Sequence, residues 1–125
     1  MKTKLIMLLC LLPLIFISCQ KYVIKIRPEK LIVPASEGTY NIKVKNADWI
    51  EDYGPGGKLE KKGDYQKGGT VYVVTTDWLE ALYYPKLEYM TLNVFENTTG
   101  EERGYSIRFT AGNYSASLGI RQGAN

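Results

Sequence analysis

Residues 105–121, YSIRFTAGNYSASLGIR, decide the fold class. Apolar residues recur at every second position on both sides of the Gly112-Asn113 pair. They are Tyr105, Ile107, Phe109, Ala116, Leu118 and Ile120. A period of two is typical of strands that bury one face, and glycine with asparagine favours a turn. This stretch therefore predicts two strands joined by a turn.

The same alternation continues upstream of this stretch. It appears in residues 40–44 and 90–94. Shorter apolar runs, which are also predicted as strands, lie at residues 23–26, 31–33 and 71–74. No segment of useful length shows the 3.6-residue apolar period of a helix. About seven short strands separated by turns predict an all-β sandwich.

Two segments do not fit this pattern. Residues 51–69 are rich in glycine and lysine, which favours a long polar loop or a poorly packed hairpin. Residues 79–87 are ambiguous, because Leu79–Leu82 favours one helical turn that Pro85 would end.

The N-terminus has the layout of an export signal. Lys2 and Lys4 precede an apolar run over residues 5–17, and Ser18 stands before Cys19. This order resembles the bacterial lipobox, which implies cleavage after Ser18, acylation of Cys19 and attachment to a membrane outside the cytoplasm. About 13 apolar residues are too few for a spanning helix, which needs roughly 20. Cys10 is the competing cysteine, but it lies inside the apolar run and follows a large leucine.

The chain accordingly divides into a signal peptide at 1–18, a lipidated cysteine with a short tether at 19–22, and one β-sandwich domain at 23–125. Removing the leader removes two lysines, so the formal net charge falls from +3 to +1. A nearly neutral domain gives no support to nucleic-acid binding. Three linker residues span at most about 10 Å, which would hold the domain against its membrane. Acidic residues just after a lipidated cysteine would resemble the surface-export signal of such lipoproteins. Residues 20–22 contain none, which favours the periplasmic face of the outer membrane over the cell surface.

The composition argues against catalysis. The chain has no histidine, and its two cysteines are accounted for by the leader and the lipid, so no metal site, disulfide or cofactor is expected. Carboxylates cluster at residues 48–52 and 101–102. Both clusters lie in turn-like sequence, where charged side chains are commonly exposed to solvent, so they do not require a catalytic role. We expect a protein that is not an enzyme, with a single-domain envelope enzyme as a remaining alternative.

The C-terminal half follows a recognisable order of strand, Asn97, a short loop with Arg103, two strands and a terminal Ile-x-Gln at Gln122. Upstream motifs in a matching order are Leu31–Pro34, Glu37-Gly38, Asp48–Ile50 and Asp77–Leu79. Together they resemble the BACON domain family, whose name describes a Bacteroidetes-associated, carbohydrate-binding, often N-terminal domain. The resemblance covers roughly residues 31–122. It implies an antiparallel immunoglobulin-like sandwich, an origin in gut-type Bacteroidetes and an association with glycans or mucin.

A sugar-binding site would use exposed aromatic rings, because the C–H-rich face of a pyranose packs on such a ring. Alternation around Leu92 places Tyr89 and Phe95 on the outward face. Three more aromatic residues lie in or beside the ambiguous segment 79–87. The candidate glycan-binding platform therefore consists of Trp78, Tyr83, Tyr84, Tyr89 and Phe95. Core packing is the competing explanation for each of them. Trp49 follows an alternating strand and is expected in the core.

Two further alternatives stay open. In the second hypothesis the domain is a structural or accessory subunit that binds another envelope protein through an exposed sheet edge. The lysines of the polar segment, Lys58, Lys61, Lys62 and Lys67, would suit anionic headgroups or acidic glycans, or would simply be solvated.

Overall fold

The computed structural model describes residues 23–64 and 69–125 and shows an all-β sandwich. The described strands are Lys25–Arg27 (β1), Lys30–Val33 (β2), Gly38–Lys45 (β3), Trp49–Tyr53 (β4), Lys58–Asp64 (β5), Gly69–Thr75 (β6), Leu79–Tyr84 (β7), Tyr89–Val94 (β8), Arg103–Ala111 (β9) and Tyr114–Gln122 (β10). A 3₁₀ turn at Pro85–Leu87 connects β7 to β8. The predicted signal peptide at 1–18 and the predicted lipidated Cys19 with its tether at 19–22 lie outside the described residues, as does Lys67.

Two sheets build the sandwich. The first contains six strands in the order β1-β3-β8-β7-β6-β5, and the second contains four in the order β2-β10-β9-β4. The predicted hairpin is present as β9 and β10, which pair from Arg103–Gln122 to Ala111–Tyr114. The described strands pair antiparallel as predicted, except that β2 runs parallel to β10.

Apolar side chains from both sheets meet in one core. Ile42, Leu92 and Ala81 enter it from the six-stranded sheet, and Ile107 and Leu118 enter it from the four-stranded sheet. Each is fully buried, as period-two alternation requires of the inward face. Burial of apolar area contributes roughly 25 cal/mol for each Å², so this shared interior is the main source of stability.

The prediction of about seven strands is too low, because the structure has ten in the described residues. All seven predicted strands are present, and β4, β5 and β7 are additional. A register shift between Ile50 and Asp52 breaks the alternation of β4. The edge strand β5 is largely charged, yet it pairs with β6 along its whole length. Of the two predictions for residues 51–69, a polar loop or a hairpin, the hairpin is therefore closer to the structure.

The helical turn predicted for 79–82 is wrong. Leu79, Ala81 and Tyr83 are buried while the residues between them are partly exposed, which is strand geometry. Leucine, glutamate and alanine favour helices by about half a kcal/mol or less each, and pairing with β6 and β8 on both sides outweighs that preference.

Candidate functional site

The five aromatic residues predicted to form one platform are divided among three places. Tyr83 lies in the core, Tyr84 and Tyr89 adjoin at one end of the six-stranded sheet, and Trp78 and Phe95 lie at the other end. Tyr89 and Phe95 are six residues apart along one extended segment, or about 20 Å at 3.3 Å per residue. One sugar ring cannot contact both ends.

Tyr83 is not a surface residue, so its assignment to the platform is corrected. Its side chain is fully buried, its hydroxyl donates to the Ala47 carbonyl at 2.6 Å, and its ring meets Phe109 edge-on at 4.9 Å. Burial, reinforced by the negative charges of Asp48 and Glu88, raises the pKa of the Tyr83 phenol above its usual range. Tyr83 therefore joins the two sheets and offers no face to a ligand.

Tyr84 and Tyr89 form a pair across β7 and β8. Their ring centroids are 5.0 Å apart with an interplanar angle of 36°, and both side chains are half-buried. Lys43 neighbours Tyr89 on β3. The pair lies on the outward face of the six-stranded sheet, at the end that adjoins the 3₁₀ turn.

Trp78 has a packing role in the structure. The Arg103 guanidinium lies over its ring at 4.8 Å from the centroid, and Tyr105 meets the ring edge-on at 6.5 Å. The side chain is partly buried against the core. Since Arg103 occupies one ring face, Trp78 is a poor surface for stacking a sugar.

Phe95 is the predicted platform residue that is most exposed, with 45% of its surface accessible. It follows β8 and lines an open groove of about 410 Å³ at the end of the six-stranded sheet. Glu37, Thr39 and Asn93 line the same groove, and Gly38 and Val94 form its backbone wall. An exposed ring therefore stands beside polar side chains; we call this surface the Phe95 groove.

A row of polar side chains crosses three strands beside Phe95. The Thr39 hydroxyl donates to Asn93 Oδ1 at 2.9 Å, and Asn93 Nδ2 donates to Glu80 Oε1 at 3.2 Å. Within the described part of the chain these bonds use one of the two Asn93 N–H groups. The second Asn93 N–H is therefore left as a donor for a ligand, beside the Thr39 hydroxyl and the Glu80 carboxylate as acceptors.

A buried network holds the segment that carries Phe95. The fully buried Gln122 donates through Nε2 to the Phe95 carbonyl at 2.8 Å and to the Ala35 carbonyl at 3.2 Å. Its Oε1 accepts from Arg103 Nε at 2.7 Å, and Arg103 also donates to the Phe95 and Glu96 carbonyls. Phe95 N donates to the Trp78 carbonyl at 2.8 Å. The backbone of Phe95 is therefore fixed on both sides.

Asn97 extends this network into the following turn. Its amide donates to the carbonyls of Glu101 and Gly123 at 2.7 and 2.9 Å, and its Oδ1 accepts from the backbone and hydroxyl of Thr99. Asn97, Arg103 and Gln122 are the residues on which the C-terminal sequence pattern depends. In the structure they have a shared role, which is to hold the turn after β8 against the end of β10.

Trp49 is a surface residue, so its predicted place in the core is wrong. It is 40% exposed on the edge strand β4, while the next residue, Ile50, faces inward. Tyr53 on the same strand lines a shallow pocket of about 250 Å³ with Arg108 and Ser117. Ile50 pairs with the inward Phe109, so its neighbour Trp49 faces outward. The register shift between Ile50 and Asp52 then pairs Tyr53 with the inward Ile107, so Trp49 and Tyr53 do not share one face of β4.

No group of three or more His, Cys, Asp or Glu in residues 23–64 and 69–125 could hold a metal ion. Within the same ranges no helix has the length and apolarity needed to cross a membrane.

Comparison with known proteins gives matches of structure alone. No family model matches the chain, and no curated protein matches it. The NMR structure of a protein from Bacteroides thetaiotaomicron is similar over 78% of this chain and 77% of that chain, with 17% identity and a TM-score of 0.54. A GH5 xyloglucanase from Bacteroides ovatus, solved in complex with a XXXG heptasaccharide, is similar over 82% of this chain with 14% identity and a TM-score of 0.51.

These similarities show a shared fold. The chain corresponds to 19% of the xyloglucanase chain, so the similarity concerns one part of that protein. At this level of identity no residue role can be transferred from either structure.

Proposed function

We propose that this protein is a non-catalytic lipoprotein of the bacterial envelope, with a BACON-like, immunoglobulin-like sandwich that binds a carbohydrate chain in the Phe95 groove. Cys19 carries the lipid, after removal of residues 1–18, and holds the domain at the outer membrane, with the periplasmic face favoured. The observation that carries the binding proposal is the exposed Phe95 ring beside the row of Thr39, Asn93 and Glu80.

This combination suits a sugar for two reasons. A pyranose has a C–H-rich face that packs on an aromatic ring and a rim of hydroxyls that need hydrogen-bond partners. The amide, hydroxyl and carboxylate groups beside Phe95 supply both donors and acceptors for that rim. Glu37 lines the groove and Glu80 lies behind Asn93, so neutral sugars are favoured over acidic ones.

The groove is also fixed before a ligand arrives. The network of Gln122, Arg103 and Trp78 holds the backbone of Phe95, so little conformational entropy is lost when a sugar stacks on the ring. Pre-organisation matters for single-site sugar binders, because each contact is weak and exposed to water.

The position of the groove agrees with attachment through Cys19. Gly38 begins β3 at the groove, and Lys45 ends β3 beside Lys25, where the described chain starts. Seven residues of strand separate the two ends, or about 23 Å. The groove is therefore at the opposite end of β3 from Lys25, the first residue of β1.

The test is a glycan-array screen followed by titration calorimetry with the best-bound oligosaccharide, using unlipidated residues 20–125. Phe95→Ala is expected to weaken binding at least tenfold, because one stacked ring contributes about 1.4 kcal/mol or more. Tyr114→Ala is the matched control, since Tyr114 is similarly exposed at 48% but lies on the four-stranded sheet. Equal loss in both variants, or binding that survives Phe95→Ala, would refute the assignment to this groove.

A second candidate is an accessory subunit that docks on another envelope protein. The observation in its favour is Ile32, which is 79% exposed on the edge strand β2. Among the described strands, β2 has a neighbour only in β10, and an apolar side chain on such a sheet edge is suited to strand addition by a partner. Ile32→Glu should abolish co-purification of such a partner from mild detergent extracts while leaving sugar binding unchanged.

A further inference from the structure

Four cations occupy the edge of the six-stranded sheet where the described chain begins. Lys25 pairs with Lys45, and Arg27 pairs with Lys43, so two rows of cations stand side by side on β1 and β3. Together they line an open pocket of about 250 Å³. We call Lys25, Arg27, Lys43 and Lys45 the basic patch.

No carboxylate of the described residues forms an ion pair with any member of the basic patch. The ion pairs found in the described ranges are Glu60–Lys62 and Glu51–Arg108, and both lie elsewhere. Like charges on neighbouring strands repel one another, so the arrangement lowers stability unless an anion balances it. With a net charge of only +1 after removal of the leader, this concentration is a local feature and does not reflect a basic domain.

The opposite edge of the same sheet provides a contrast. Lys62 on β5 is 3.3 Å from Glu60, and Lys61 lies over the Tyr72 ring at 6.0 Å. Two lysines of the segment noted in the sequence, Lys61 and Lys62, therefore have partners within the domain. The unbalanced charge is at the β1 edge, which the sequence pattern did not single out.

Exposed apolar residues adjoin the basic patch. Leu87, in the 3₁₀ turn, and Val23 are each 45% exposed. The Val44 amide donates to the Glu88 carbonyl at 3.0 Å, and Asn46 Nδ2 donates to the Val23 carbonyl at 3.0 Å, so both residues are held beside the end of β3. Lys86 is in the same turn, but its ammonium lies near Gly69 on β6 and not beside the basic patch. Two exposed apolar residues thus adjoin the four cations of the basic patch.

We infer that this end of the sandwich lies on an anionic lipid surface, with the basic patch on lipid phosphates and Leu87 and Val23 at the boundary of the acyl chains. Ammonium and guanidinium groups donate to phosphate oxygens, and one lipid chain with a basic cluster is the combination that gives stable attachment. The inference rests on the proposed lipidation of Cys19, which lies six residues before Lys25, at most about 21 Å of chain.

This orientation has a consequence for the proposed sugar site. Thr39 of the Phe95 groove shares the outward face of β3 with Lys43 and Lys45, which are about 13 and 20 Å away along the strand. The membrane contact is therefore at the Lys45 end of this face, and the groove lies at its other end. The lipid would tether the chain, while the patch would set the angle at which the domain stands. A tether alone leaves that angle undetermined.

Unlipidated residues 20–125 provide the test, because every core residue and strand pair described lies between Ile24 and Gln122. Folding is checked by circular dichroism and thermal unfolding. Co-sedimentation is measured with vesicles of phosphatidylcholine alone and with vesicles that also contain phosphatidylglycerol. We expect binding to the anionic vesicles only, and a decrease as salt rises, since screening shortens the range of these charges.

The decisive variant is Lys43→Gln with Lys45→Gln. Each cation near an anionic surface contributes about a fivefold gain in partitioning, so the double variant should bind roughly 25-fold more weakly. Lys58→Gln with Lys61→Gln, at the opposite edge of the same sheet, is the control of equal charge and should change binding less than twofold. Leu87→Ala should weaken binding severalfold at high salt, where the apolar contact is the main attraction.

Equal effects of the two double variants would overturn the inference, because binding would then follow net charge. Tighter binding to a sulfated polysaccharide than to anionic vesicles would also overturn it, in favour of an acidic glycan. Lipidation is assayed separately, by mass spectrometry of the membrane-extracted full chain. A failure at Cys19 is thereby distinguished from a failure of the basic patch.

Discussion

Replacing Gln122 with alanine removes three hydrogen bonds from a fully buried side chain. The bonds join Nε2 to the carbonyls of Phe95 and Ala35, and Oε1 to Arg103 Nε. The first two are neutral and contribute about 1 kcal/mol each, and the third, from a charged donor, contributes about 2 kcal/mol. The variant should therefore lose about 4 kcal/mol of unfolding free energy.

The loss is measurable by urea unfolding and by calorimetry. For a domain of this size it corresponds to a fall in Tm of roughly 15–30 °C. Arg121→Ala is the matched control, because Arg121 is the adjacent residue on β10 but is exposed. Its effect should be within about 0.5 kcal/mol. If Gln122→Ala destabilises the domain no more than Arg121→Ala does, the network does not hold the turn after β8 and the argument fails.

Two further predictions concern the aromatic residues. Tyr83→Phe should cost about 1–2 kcal/mol, since it leaves the Ala47 carbonyl buried without its donor. Because the pKa of Tyr83 is raised in the fold, the unfolded phenol ionises first above pH of roughly 10, so stability should fall by up to about 1.4 kcal/mol per pH unit there. The phenylalanine variant should show a shallower fall in alkaline urea titrations. Trp78→Ala should lower the free energy of unfolding by about 2–3 kcal/mol, because the Trp78 ring packs on the core and under Arg103. Trp49→Ala, at the surface, should lower it by less than about 1 kcal/mol in the same assay. The reverse order would contradict the placement of the two tryptophans.

Strand alternation was the informative signal for the fold. It located β3, β8, β9 and β10, where one face is buried and the other is solvated. It failed in β4, where the register shift near Ile50 breaks the period, and in β7, where helix-forming residues concealed it. Local preferences of a few tenths of a kcal/mol cannot report that a segment is hydrogen-bonded on both sides by other strands.

The candidate site was only partly accessible to the same reasoning. Alternation in β8 placed Phe95 outward, and the structure agrees. The assignment of both Tyr83 and Tyr84 to one surface contradicted that logic, because consecutive residues of a strand face opposite sides. Thr39 and Asn93 had no signal of their own, since their proximity to Phe95 depends on the pairing of β3 with β8.

By itself the sequence determined the β class of the domain, the outward position of Phe95 and the unequal distribution of charge between residues 1–18 and the rest of the chain. These follow from the period of side chains along one strand and from composition, which are local properties. Only the tertiary structure decided which strands are neighbours, and with them the Phe95 groove, the network around Gln122 and the basic patch. Each of these joins residues from strands far apart in the chain, and hydrogen-bonded pairing between strands, which no local pattern encodes, brings them together.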